Sequence, residues 1–131
     1  MYLRFITRFP DSYGREETGV FQAAAYLLHS DIMHDYDKQY LDELWKWFKC
    51  NLRVPTRFKR SRRRNARNIS LSWFKSTSTE HLQMMYEMIW MLERYGMVVE
   101  RVKRHNPGYI MYEDEFQVSS IPHGKDKSLV L

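Results

Sequence analysis

The spacing of the apolar residues changes along this chain of 131 residues, and that change restricts the fold more than any other feature. The N-terminal segment YLRFITRF alternates, which places Leu3, Phe5, Thr7 and Phe9 on one face of a predicted strand and Arg4 on the other. Further along, apolar residues recur every three to four positions, as in helices with one buried side. The segment ISLSWF then returns to alternation. Both periods within one chain predict a mixed α and β fold.

Three segments have helical spacing. The first, TGVFQAAAYLLHS, is rich in alanine and offers Thr18 as an N-cap. The second, DKQYLDELWKWFKCNL, has an apolar side and an Asp42–Lys46 pair on the opposite side. The third is TSTEHLQMMYEMIWMLERYG, in which Thr77 and Glu80 match a capping box and Gly96 follows the predicted end. We expect the apolar stripe of each helix to pack into a core.

The C-terminal part predicts a β-hairpin. MVVERVKR and YIMYEDEFQV have strand character, and Asn106-Pro107-Gly108 between them suits a type II turn. The resulting order is β-α-α-β-α-β-β. We therefore expect an α+β fold of two layers, with about four mostly antiparallel strands and three helices on one face. Residues 1–120 would form a single domain, with a basic loop at 53–68 and a tail at 121–131.

Positive charge is concentrated in one segment. Residues 53–68 carry eight lysine and arginine side chains and no acid, whereas the whole chain has a formal charge of +5, so the remainder sums to −3. We call this segment the Arg-rich tract. An unstructured connection longer than about 12–15 residues is uncommon inside a compact domain and is usually functional or disordered. The tract is the main candidate binding site.

Three interpretations of the tract stay open. Arginine forks match phosphate oxygens, so it could bind nucleic acid through backbone contacts, and about five such contacts would give a log–log salt slope of about −4 to −5. It could instead bind an acidic protein surface, or it could be a solvated loop. Residues 101–104 could extend the patch. The predicted binding residues are Arg57, Lys59, Arg60, Arg62, Arg63, Arg64, Arg67, Arg101, Lys103 and Arg104.

Two clusters could support catalysis. The histidines and aspartates between residues 29 and 37 could hold a metal, but their spacing matches no metal motif and a polar connector explains them as well (His29, Asp31, His34, Asp35, Asp37). Glu113, Asp114 and Glu115 could bind Mg²⁺ near Lys103, as in a nuclease, although three acids at the end of a strand also form a solvated edge. His81 reads as a hydrogen-bonded, semi-buried residue and Cys50 as inert. We assign no metal and no cofactor.

Several segments together show a resemblance. MYLRF, GVFQAA, LDELWKWFKCNLRVPTRF, ISLSWFKSTSTEHL and PGYIMYEDEFQV occur in this order over roughly residues 1–118. This pattern resembles a family of short bacterial proteins that has no established activity. The resemblance implies a bacterial, cytosolic, free-standing small domain, and it transfers no catalytic residue to this chain.

Compartment and partners follow from what the sequence contains. A single cysteine excludes an internal disulfide, which is typical of a reducing compartment. The N-terminus lacks the features of a signal peptide, and no apolar segment is long enough to span a bilayer. We expect a soluble cytoplasmic protein without a membrane partner.

The leading function is a small nucleic-acid-binding or accessory protein, the alternative is a protein-interaction module, and the third is a metal-dependent phosphodiesterase or nuclease. A homo-oligomer stays open.

Overall fold

The computed structural model describes residues 1–7, 18–55 and 70–122. These residues form the helices α1 (Val20–His29), α2 (Asp35–Asn51) and α3 (Thr79–Arg94). They also form the strands β1 (Tyr2–Thr7), β2 (Thr18–Gly19), β3 (Leu71–Lys75), β4 (Val99–Arg104), β5 (Tyr109–Glu113) and β6 (Gln117–Ile121). The predicted α+β class and the order of elements are confirmed. Two strands are additional: the short β2, and β6, which is separated from β5 because the last predicted strand is interrupted by a turn at Asp114.

The chain divides into two compact units. One comprises Met1–Arg4, Val54–Thr79 and Lys103–Leu131, and the other comprises Phe5–Arg53 and Glu80–Val102. Strands β1 and β4 each supply residues to both units. We call them the sheet unit and the helical unit after their main contents.

The sheet unit contains antiparallel strands in the order β1-β3-β6-β5. The register pairs Leu3 with Phe74 and Trp73 with Val118. All five residues of β6 are buried, which suits a strand with a neighbour on each side. Alternation in ISLSWF predicts an inward Trp73 and an outward Phe74. Trp73 is buried, but Phe74 is buried as well, so β3 does not have one open face.

The helical unit holds α1, α2 and α3 with the second half of β1. Helical spacing predicts one apolar side for α3, and its five residues are all buried (His81, Met85, Met88, Ile89, Leu92). Leu41, Leu44 and Phe48 of α2 are buried as well. The ring of Phe5 on β1 meets the ring of Tyr86 on α3 edge to face, with centroids 5.6 Å apart. Strand β1 pairs with β2 and with β4. Lys46 Nζ lies 2.9 Å from Asp42 Oδ2, which confirms the predicted pair on α2.

The ends of the helices differ in part from the predicted caps. Gly19, not Thr18, precedes α1, and its N–H donates to Oε1 of Gln22 at 3.2 Å. Helix α3 begins at Thr79, so Thr77 lies too early to form the predicted capping box with Glu80. Gly96 follows α3 with φ of 85°, and its N–H donates to the carbonyl of Glu93, which is the left-handed ending that was predicted.

The C-terminal strands do not pair as the predicted hairpin required. β4 pairs with β1, whereas β5 pairs with β6. The pairing of Tyr109 with Ile121 carries β6 into the segment that was expected to be a tail. The predicted turn conformation of Gly108 is nevertheless present, with φ of 109°. Among the described residues, no helix is long and apolar enough to cross a membrane.

Candidate binding surfaces

Most of the Arg-rich tract lies outside the described residues. This includes seven of the ten predicted binding residues: Arg57, Lys59, Arg60, Arg62, Arg63, Arg64 and Arg67. Their role in binding stays a prediction. The structure places the other three, Arg101, Lys103 and Arg104, on β4.

Strand alternation divides the three basic residues of β4. Arg101 and Lys103 are exposed and lie on the same side of the strand, while Arg104 is half-buried on the other side. The guanidinium of Arg104 donates to the backbone carbonyl of Lys103 at 3.0 Å. The guanidinium of Arg101 lies 4.5 Å from the centre of the Tyr86 ring on α3, a cation–π arrangement. β4 therefore offers two exposed cations, one of them held over an aromatic ring.

Helices α2 and α3 run antiparallel, since the start of each helix contacts the end of the other. At one end, Nε2 of His81 lies 2.8 Å from the carbonyl oxygen of Asn51, and the imidazole meets the Trp47 ring with centroids 5.0 Å apart. His81 is thus a buried, hydrogen-bonded residue, as predicted. At the other end, Asp37 in the first turn of α2 faces Arg94 and Tyr95.

The carboxylate of Asp37 anchors that second contact. Its side chain is only 7% exposed. Oδ2 of Asp37 accepts a 2.6 Å hydrogen bond from the Tyr95 hydroxyl, and Oδ1 forms an ion pair with Nη1 of Arg94 at 3.4 Å. The Tyr95 hydroxyl in turn accepts from the backbone N–H of His34, which precedes α2. The hydrogen bond to Asp37 is the main cause that raises the pKa of Tyr95 above its usual value. Tyr95 therefore links a buried carboxylate to the start of α2.

We expect Tyr95→Phe to lower the midpoint of thermal unfolding by several degrees, since it leaves the buried Asp37 carboxylate with one partner fewer. Tyr109→Phe is the matched control. Tyr109 is exposed, and within the described residues its hydroxyl has no hydrogen-bond partner. Melting curves of both variants at neutral pH measure the difference. Equal midpoints would contradict a structural role for the Tyr95 hydroxyl.

The histidine and aspartate cluster does not form a metal site in the described residues. Asp37 is engaged with Tyr95 and Arg94, while His29, Asp31, His34 and Asp35 are exposed or lie at the surface of the connector. Within residues 1–7, 18–55 and 70–122, no group of three or more histidine, cysteine, aspartate or glutamate side chains is arranged to hold a metal ion. The polar-connector interpretation explains these residues.

The acidic triplet at the end of β5 is divided between different contacts. Glu113 forms an ion pair with Lys75 of β3 at 2.6 Å. Asp114 occupies the turn to β6 and accepts hydrogen bonds from Tyr112, Phe116 and Gln117. Glu115 is exposed. The lysine that meets Glu113 is therefore Lys75, and not Lys103 as the nuclease hypothesis had suggested.

A surface groove of about 570 Å³ lies between α1 and α2. Trp45 lines it together with three lysines of α2 (Lys38, Lys46, Lys49). Asp35 and Asp42 offset part of this charge, and Asp42 is paired with Lys46. The described lining contains no serine, threonine or cysteine.

Exposed aromatic residues mark a further surface that the sequence did not single out. Tyr36 on α2 and Trp90 on α3 are 84% and 57% exposed. The guanidinium of Arg94 lies 5.0 Å from the centre of the Trp90 ring. Trp90 lies between Glu87 and Arg94, on the side of α3 opposite its buried residues, where helical spacing predicts polar side chains. The exposed cysteine, Cys50, lies at the other end of α2.

Comparison with known proteins assigns no relative: no family model, no curated protein and no solved structure matches this chain.

Proposed function

We propose that this chain is a small, non-catalytic accessory protein that binds nucleic acid through the phosphate backbone. The observation that carries the proposal is the charge of residues 53–68, which hold eight cations and no acid in a chain whose remainder is net negative. Arginine donates two parallel hydrogen bonds to a phosphate, and each neutralised phosphate releases counterions. The tract therefore matches an extended polyanion better than a single small anion.

Strand β4 supports this proposal with exposed charge. Arg101 and Lys103 project from the same side of the strand, and Tyr86 provides an aromatic face beneath Arg101. Such cations add phosphate contacts without reading sequence. We expect weak sequence preference, because the chain contains no zinc-finger spacing and no RNP motif.

The experiment is fluorescence anisotropy of labelled single-stranded and duplex DNA and RNA at two salt concentrations. We compare Arg62, Arg63 and Arg64 changed together to alanine with a matched control in which Lys38, Lys46 and Lys49 become alanine. Both variants lose three positive charges. We expect the tract variant to weaken binding at least about 30-fold and to flatten the duplex salt slope by about 2 to 3, because each lost phosphate contact removes about one released counterion.

Two results would contradict the proposal. One is no binding at low salt by the native protein. The other is an equal loss of affinity in both variants, which would mean that only net charge matters. The double variant Arg101→Ala/Lys103→Ala tests the contribution of β4, for which we expect a smaller slope change, of about 1 to 2.

A protein-interaction module is the second candidate function, and the exposed aromatic residues of α2 and α3 favour it. Tryptophan, tyrosine and arginine are the residue types that dominate binding energy at protein interfaces. A partner that co-purifies and resists nuclease treatment would favour this function over nucleic-acid binding.

A further inference from the structure

Arg94 connects the exposed aromatic residues of α3 and α2, because its guanidinium lies over the Trp90 ring and pairs with Asp37, the residue after Tyr36. Tyr36 and Tyr40 lie one turn apart on α2. Burial is the main cause that raises the pKa of Tyr40, and Glu87 of α3 lies near enough to raise it further. Trp90 lies three residues after Glu87 on α3, and the guanidinium of Arg94 lies over the Trp90 ring. We call the set Tyr36, Tyr40, Glu43, Glu87, Trp90 and Arg94 the α2–α3 seam.

The seam exposes more aromatic surface than folding alone requires. Tyr36 and Trp90 present most of their surface to solvent, at 84% and 57%. Burial in the helical unit therefore does not account for these two side chains. Large exposed apolar surfaces that are bordered by polar groups are typical of interaction sites.

The charge of the seam is negative. Glu43 is exposed and Glu87 is half-buried, and both lie near Tyr40. The positive charge of Arg94 is offset by the ion pair with the buried carboxylate of Asp37. Lys46 also interacts with Glu43, but it is paired with Asp42. Within the described part of the chain neither glutamate forms an ion pair, so the two glutamates disfavour a phosphate backbone and favour a cation.

We propose that the α2–α3 seam docks a protein segment that presents arginine side chains. The combination of aromatic faces with adjacent carboxylates matches a guanidinium, which stacks on an aromatic ring and donates parallel hydrogen bonds to a carboxylate. Arg94 already makes both kinds of contact within the molecule, with Trp90 and with Asp37. A guanidinium of the partner would stack on the exposed ring surface and bind Glu43 or Glu87. This surface is distinct from the cationic tract and prefers a partner of the opposite charge.

The test uses labelled peptides as probes and anisotropy as the readout. The first probe is a synthetic peptide with the sequence of residues 53–68, which supplies arginines beside valine, proline and phenylalanine. The second has every arginine replaced by citrulline, which keeps the shape of the side chain and removes its charge. We expect the arginine peptide to bind and the citrulline peptide to bind at least about tenfold more weakly, as for the loss of a charged hydrogen-bonded contact.

Variants of the seam then locate the binding site. We expect Trp90→Ala to weaken the arginine peptide at least about tenfold, and Glu43→Gln/Glu87→Gln to weaken it and reduce its salt dependence. Tyr109→Ala and Glu115→Gln remove an exposed ring and an exposed acid in the sheet unit, and they should leave affinity unchanged. If Trp90→Ala does not fold, the glutamine pair decides the result, because glutamine has nearly the shape of glutamate and neither Glu43 nor Glu87 is fully buried.

Three results would overturn the inference: no binding of the arginine peptide at low salt by either the native protein or the arginine variant of the tract, equal binding of both peptides, or equal affinity in the seam and control variants. Failure of this inference can be distinguished from failure of the proposed nucleic-acid binding, because different variants test the two. Trp90→Ala should leave nucleic-acid affinity unchanged, whereas the arginine variant of the tract should bind the peptide at least as tightly as the native protein, because fewer arginines of the chain itself then compete for the seam.

Discussion

Gly108→Ala is expected to cost about 4 kcal/mol or more of the free energy of unfolding, which is exceptional for a single substitution. Two effects add. Gly108 has φ of 109°, a conformation that strains any residue with a Cβ. In addition, a Cβ at this position would overlap the carbonyl oxygen of Ile121 and approach Cα of Pro122 to 2.9 Å. The obstructing atoms belong to backbone, so no side-chain rotation relieves the overlap.

The surrounding contacts prevent the backbone from moving away. The N–H of Gly108 donates to the side chain of Asn106 at 2.9 Å, and the carbonyl of Pro107 accepts from the Ser120 hydroxyl at 2.7 Å. Tyr109 and Ile121 form the first pair of the β5–β6 ladder. A shift at Gly108 would therefore break the turn or the pairing that begins beside it.

Gly96→Ala is the matched control for this prediction. Gly96 also has a positive φ, of 85°, but a Cβ there would meet no atom within 4 Å. We expect about 1 kcal/mol for this variant, the conformational cost alone. Urea unfolding of both variants measures the difference, and expression in inclusion bodies would itself agree with the expectation for Gly108→Ala. Equal costs at the two glycines would contradict the close approach to Ile121.

Local rules were sufficient for the helices because a helix satisfies its own backbone hydrogen bonds. The stripe of α3, from His81 to Leu92, could be read from spacing alone, and its burial is confirmed. Gly96 was recognisable because few residues other than glycine adopt its conformation. The start of α3 was less certain, since Thr77, Ser78 and Thr79 can all cap a helix; Ser78 instead donates to the carbonyl of Phe116.

Strand pairing was harder to predict, because the partner of a strand is set by distant contacts. The turn at Asn106–Gly108 joins β4 to β5 in sequence, and the simplest expectation was that these two strands pair. β5 pairs instead with β6, a strand separated from β5 by only three residues. The signal for this division was Asp114, whose side chain can cap a turn, but Glu113 and Glu115 beside it suggested an acidic cluster instead.

The Arg-rich tract and the α2–α3 seam also differ in how far the sequence alone predicts them. The Arg-rich tract is a property of consecutive residues, so composition alone identifies it. The α2–α3 seam exists only because Tyr40 and Glu87, which are 47 positions apart, become neighbours in an antiparallel pair of helices. A single sequence contains no local signal for such a pairing, although an aromatic residue between Glu87 and Arg94 on the polar side of α3 could have marked Trp90.

The turn between β5 and β6 leads to the second large expected effect: Asp114→Ala should cost about 2–3 kcal/mol of the free energy of unfolding. Oδ1 of Asp114 accepts from the backbone N–H groups of Phe116 and Gln117 at 2.8 and 3.0 Å. Oδ2 accepts from the Tyr112 hydroxyl at 2.8 Å and from Nε2 of Gln117 at 3.1 Å. Alanine would leave these four donors without the carboxylate, at a turn that joins the buried β6 to its neighbour.

The same carboxylate makes stability depend on pH. Burial by itself would raise the pKa of Asp114, but the hydrogen bonds from Phe116, Tyr112 and Gln117 together hold it below its usual value of 3.8. The folded protein therefore binds the proton less tightly than the unfolded chain does. The stabilisation is fully present above about pH 5 and is lost progressively as the pH falls through 3.8 and below.

Urea unfolding between pH 2.5 and pH 6 tests this dependence in the native protein, in Asp114→Asn and in the control Glu115→Gln. Asparagine still accepts hydrogen bonds but does not titrate, so we expect its stability to be lower at pH 6 and to fall less steeply with acid. Glu115 is exposed, and its variant should follow the native curve. A native slope that persists in Asp114→Asn would assign the acid sensitivity to other carboxylates, and it would contradict the role of Asp114 as the charged centre of this turn.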